Sequence, residues 1–126
     1  LGFQVAETCG IPQGLAMGLL LPFSMEAIAK NEGPEIGQIM LPMAGIEVFC
    51  CTPAGQRSDY VVNRIRCAQN ELFSLTSGRV PRTLEDVRVS GKTMEDIAEK
   101  TSARGFDKTL CLKVLEHAFE GKPVTR

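Results

Sequence analysis

Few residues in this chain carry side chains able to do chemistry. The single histidine, His117, lies between Glu116 and Ala118. A lone imidazole with no nucleophile or metal ligand near it in sequence reads as a half-buried or surface helix residue, not a general base. The five cysteines are Cys9, Cys50, Cys51, Cys67 and Cys111, an odd number with no Cys-x-x-Cys spacing, which argues against a metal knuckle or a redox pair. Adjacent Cys50 and Cys51 admit a strained vicinal disulfide, but buried free thiols in a reducing cytosol are the simpler reading. Glu85, Asp86, Glu95 and Asp96 follow hydroxyl residues at capping spacing, where carboxylates meet helix dipoles, so none is left for general acid work. One amide remains conspicuous. In GIPQGLAMGLLLP, residues 10–22, Gln13 stands at the mouth of a helix otherwise built for burial.

The neighbouring Gly10, Gly14 and Gly18 are not a dinucleotide fingerprint. That motif needs a strand before the glycines and an acidic residue about twenty positions on; Glu32 is near that distance, but strands are not evident. Gly14 and Gly18 read instead as a place of close helix packing. Composition narrows the partners. The 14 basic residues nearly balance the 15 acidic ones, Trp is absent and Tyr occurs once, so no broad field or stacking platform serves nucleic acid or an anionic membrane. Leu15 to Ile28 is too short to span a bilayer and is broken by Pro22, Ser24 and Glu26. No basic region precedes it and no small-residue cleavage pattern follows, so a signal peptide is not indicated and a cytoplasmic location is expected.

The elements that would position these residues are helices. A helix is expected from about Gln13, apolar on most faces to Ala29, with Pro22 kinking it or opening its second half and Asn31-Glu32-Gly33-Pro34 stopping it. From Glu35 to Cys51 the pattern is mixed. Ile36, Ile39, Met40, Met43 and Ile46 fit a helical stripe, Pro42 and Gly45 interrupt it, and Ile46 to Cys51 fits a helix or a short extended segment equally. Val61, Ile65, Ala68, Leu72 and Leu75 define a long amphipathic helix capped by Ser58 or Asp59 and ending before Gly78, with Asn63, Arg64, Arg66 and Asn70 on its solvated face. Thr83-Leu84-Glu85-Asp86 and the stretch from Ser90 to Asp96 open two short helices, the second running from about Met94 to Ser102. Asp107 caps a last helix that stops at Gly121 and Pro123. The fold class is all-α: one domain over residues 1–126, a compact bundle of roughly five or six helices.

The order of three segments carries a resemblance. IPQGLAMGLLLPFSMEAIA resembles the Pro-His-Gly segment and following helix of the iron-dependent alcohol dehydrogenases. VPRTLEDVRVSGKTMEDIAEKT is similar to that family's leucine-proline-arginine-threonine loop and the short helices after it, and DKTLCLKVLEHAFEGKPVT to its closing helix. The resemblance implies a helical carboxy-terminal domain whose usual nucleotide-binding partner domain is absent from this sequence. It further implies an NAD(P)-dependent, iron- or zinc-dependent oxidoreductase as ancestor. Gln13 takes the place of the Pro-His-Gly histidine, and by spacing an upstream histidine position falls near Phe3. A glutamine carbonyl is a weak donor for a divalent metal and phenylalanine is none. No catalytic or cofactor-binding residue, and no cofactor for this chain alone, is therefore expected.

Three functions follow as expectations. The first is a helical binding or assembly module without activity of its own, associating with itself through the apolar face of Leu15 to Ile28. The second is a subunit of a metal-dependent alcohol dehydrogenase completed by a separate nucleotide-binding chain. The third is a receptor for a small apolar molecule lined by Met17, Met25, Met40 and Met43.

Overall fold

The computed structural model describes residues 1–29 and 34–124 in full and the backbone of residues 30–33. Seven helices and no strand occur among the described residues: α1 (Gly2–Cys9), α2 (Gln13–Gln38), α3 (Met40–Ala44), α4 (Ile46–Cys51), α5 (Ala54–Leu75), α6 (Gly91–Ser102) and α7 (Lys108–Glu120). The all-α expectation holds, with more helices than the sequence pattern resolved.

α2 begins at Gln13, as the punctuation predicts, but it runs through Pro34 to Gln38. The expected stop over 31–34, whose first three side chains lie outside the described residues, does not end the helix. Packing overrides the breakers. Ile36 is buried, and a Cβ on Gly37 would stand 3.0 Å from Arg57 Cβ, so the last turns of α2 press directly on the start of α5. The chain then breaks at Gly45, whose φ of +89° a side chain would resist. Ile46 to Cys51 resolves as a helix and not an extended segment.

α5 starts five residues earlier than a cap at Ser58 would place it. Pro53 precedes its first turn, and Ser58 is a buried residue inside the helix instead of its cap. The helix expected after Thr83 is a turn. The reciprocal bonds of a helix start do form there, Asp86 N–H to Thr83 Oγ1 and Thr83 N–H to Asp86 Oδ2. However, the Leu84 amide is drawn to the Ala118 carbonyl and Arg88 adopts a φ of +57°, so no second turn can follow. Ser90 and Asp107 cap α6 and α7, accepting from Thr93 N–H and Thr109 N–H, and Gly121 ends α7 in the left-handed conformation.

α2 belongs to two cores. Along its first half Leu19, Leu20 and Phe23 pack with residues of α1, α6, α7 and the 84–89 turn, including Leu84, Ile97 and Leu115. Its second half supplies Met25 and Ile36 to a smaller cluster with Met40 of α3 and Val61 and Val62 of α5. α5 lies antiparallel along it, since Gly37, Glu26 and Gly18 meet Arg57, Arg66 and Gln69 in turn.

One feature of this seam follows from covalent chemistry. Pro22 has no N–H, so the carbonyl four residues back, at Gly18, loses its helical donor. The Gln69 side chain of α5 donates Nε2–H to that carbonyl. Gly14 and Gly18 are not sites of close packing: a Cβ at either would meet nothing within 4 Å. The tight approach between α1 and α2 is at Gly2, where a Cβ would fall 2.8 Å from Met17 Cγ. We expect Gln69→Ala to lower stability by about 1 kcal/mol. In a Pro22→Ala background, where an N–H is restored for the Gly18 carbonyl, the loss should largely vanish. Denaturant melts of the four proteins in that cycle measure the coupling.

Candidate functional site

Gln13, the residue at the resemblance's metal position, is exposed at the first residue of α2, and its Nε2 reaches only the Met17 sulfur at 3.7 Å. A thioether is a weak acceptor, so this contact orients the amide little. Phe3 is on α1, half exposed, with the Arg104 guanidinium 5.3 Å from its ring centroid. Among the described residues no three His, Cys, Asp or Glu side chains gather to hold a metal ion. At the two resembling positions an amide and a phenyl ring stand where imidazoles would be needed, and these groups do not fit iron or zinc.

The other candidates are scattered. His117 is half-buried on α7, its Nδ1 sealed from solvent without a partner. All five cysteines are free, but Cys50, Cys51 and Cys67 are exposed, which corrects the expectation of buried thiols. Burial pushes the Cys9 thiol up. It does the same at Cys111, where the Leu1 amino group opposes it and the Asp107 carboxylate adds to it, so neither is an activated nucleophile. The four methionines do not form one lining: Met25 and Met40 are core, whereas Met17 and Met43 are exposed. Glu85 and Asp86 sit on the 83–88 turn, whereas Glu95 and Asp96 lie on the outer face of α6 beyond its first turn, because the helix begins at Gly91, so the expectation that they serve a helix start is corrected.

What the structure does bring together is missed by residue-type reasoning. Arg66, expected on a solvated face, is turned into the α2–α5 seam. Its Nη2 donates to Glu26 Oε2 at 2.7 Å and its guanidinium lies 4.5 Å from the centroid of buried Phe23. The same Glu26 oxygen accepts the Val124 N–H at 2.7 Å, so one carboxylate ties α2, α5 and the chain after α7 together. The sequence offers no signal for this, because the partners are 40 and 98 positions apart.

On the opposite side of the α2–α5 pair the apolar pattern is left uncovered. The stripe on α5 starts buried at Val61, is half-covered at Ile65, and ends exposed at Leu72 (48%) and Leu75 (76%). Met17, Leu21 and Ile28 share one face of α2 at spacings of four and seven and are also exposed. Because Met25 and Ile65 lie in the same cluster, one turn along each antiparallel helix puts Leu21 and Ala68 on the same side, and a further turn does so for Met17 and Leu72. No helix among the described residues is long and apolar enough to cross a membrane.

No family model, curated protein or solved structure matches this chain.

Removing the shared acceptor tests the seam. Glu26→Ala leaves the Arg66 guanidinium without its counter-ion and the buried Val124 amide without an acceptor. It should lower stability by about 2–3 kcal/mol in urea melts, whereas Glu120→Ala, which breaks the exposed 3.0 Å pair with Lys122, should change it by less than about 0.5 kcal/mol.

Proposed function

We propose that this chain is a helical assembly module with no catalytic activity of its own, pairing with a second copy of itself through the α2–α5 face. The carrying observation is that uncovered face, five large apolar side chains from two packed helices: Met17, Leu21, Ile28, Leu72 and Leu75. They leave roughly 500 Å2 of apolar surface in water, the scale at which patches mark interaction sites. A twofold contact covers such a patch twice, roughly 1,000 Å2 in total, which reaches the lower bound for a specific interface.

Charge supports a second copy as the occupant. The net charge is −1, so two copies do not repel strongly. Arg64 and Glu71 are exposed two turns apart on the outer side of the α5 stripe, with small Ala68 between them. If two α5 helices cross antiparallel near Ala68, each Arg64 faces the other copy's Glu71, and the small residue lets the backbones approach. Kinship with the helical domain of iron-dependent alcohol dehydrogenases belongs to the same reading. It is supported by the three resembling segments and by the helices α2, α6 and α7 that fall on them.

Sedimentation equilibrium tests the pairing. Wild type should dimerise between about 1 and 100 μM, and Leu72→Lys with Leu75→Lys should weaken dimerisation by at least about tenfold without loss of helicity. Arg64→Glu should weaken it several-fold, and adding Glu71→Arg should restore it. A wild-type monomer throughout that range contradicts the proposal.

A further inference from the structure

The other side of the same helix pair carries a cleft of about 450 Å3, walled by Phe23, Arg66, Asn70, Arg82, Glu120 and Pro123 among others. We infer that this cleft binds a small monocarboxylate through the Arg82 guanidinium. Its volume lies within the range of roughly 300–1,000 Å3 common for small-molecule sites.

The charges in the walls single out Arg82. Arg66 is neutralised by Glu26, and Glu120 has Lys122 at 3.0 Å. Arg82 makes no ion pair among the described residues. Of the two acids that follow it on the turn, exposed Glu85 makes no ion pair with it and Asp86 is occupied through Oδ2 by the backbone amides of Arg82 and Thr83. The guanidinium is nevertheless held in place. It lies 3.7 Å from the centroid of Phe73, and its Nη1 donates to Asn70 Oδ1 at 3.3 Å. A guanidinium has five N–H donors, so a fixed cation with most of its donors unspent faces the cleft. The Asn70 amide, whose oxygen is engaged, has its NH2 group beside them as a further donor.

The remaining walls set the ligand class. Arg66 Nε is buried without a partner and Nη2 is paired with Glu26, so Arg66 adds no free charge to the cleft. The Glu120 carboxylate, though paired with Lys122 in solvent, stands in the wall and disfavours a second negative charge such as that of a phosphate dianion, while exposed Pro123 offers apolar surface to an uncharged body. One carboxylate on a small apolar skeleton meets all of these conditions, with its two oxygens matched to the guanidinium fork.

The test is a titration of the intact chain with benzoate, followed by NMR at Arg82 Nε–H and the Asn70 side-chain amide. Benzyl alcohol is the neutral counterpart and inorganic phosphate the dianion. Benzoate should shift both signals saturably, with a dissociation constant of about a millimolar, and benzyl alcohol should not. Arg82→Gln should weaken benzoate binding at least about tenfold with helicity unchanged. Arg82→Lys should also weaken it, because a point charge lacks the planar fork. Absence of a saturable shift, equal binding of benzyl alcohol, tighter binding of phosphate, or full binding by Arg82→Gln would each overturn the inference.

Discussion

The structure depends on a helix that cannot satisfy itself. Pro22, buried in α2, withdraws one N–H from the ladder and leaves the Gly18 carbonyl open. A helix carrying such a defect is favourable only if another element supplies the missing donor, and Gln69 of α5 does so. One and two turns away, Glu26 is bound by Arg66 and by the Val124 amide. These polar contacts fix the register of α5 against α2, which apolar packing alone leaves loosely specified. Both cores are then arranged around a helix whose position is determined from outside it.

The two sides of the α2–α5 pair differ because of that register. With Arg66 turned inward, one side closes over Phe23 and is bordered by the 82–86 turn and the end of α7. The other side keeps the stripe from Ile65 to Leu75 and the row from Met17 to Ile28 without a covering element. The result is a polar cleft opposite an apolar face. The groups that could do chemistry are dispersed: the histidine is on α7, Asp86 and Asp107 accept backbone amides of a turn and a cap, and the exposed thiols are divided between α4 and α5.

Local signals were legible wherever the chain satisfies itself locally. The starts of α2 and α7, the Ser90 cap and the Gly121 stop all follow from residues within one turn of the boundary. Failures cluster where a distant partner decides. Pro34 does not end α2 because α5 meets Ile36 and Gly37; Thr83 does not start a helix because Ala118 takes the next amide; Arg66 is not solvated because Glu26 is opposite. Gly14 and Gly18 misled in the same way, since a small-residue spacing records permission for close approach and not the approach itself. The apolar stripe on α5 was readable as a pattern, yet its uncovered end was not, because periodicity reports which face is apolar and not what covers it. Of the cleft around Arg82, nothing was readable, as its walls come from α2, α5, the turn and the chain after α7.

The central claim is that α2 is one spine shared by both cores, so that neither core survives the loss of the other. Native-state hydrogen exchange measures this directly through the amides of Val61 in the smaller cluster and Leu115 in the larger one. The same opening free energy is expected at both positions, equal to that of global unfolding. A markedly lower value at Val61, with α3 and α5 opening while α7 stays protected, would contradict it.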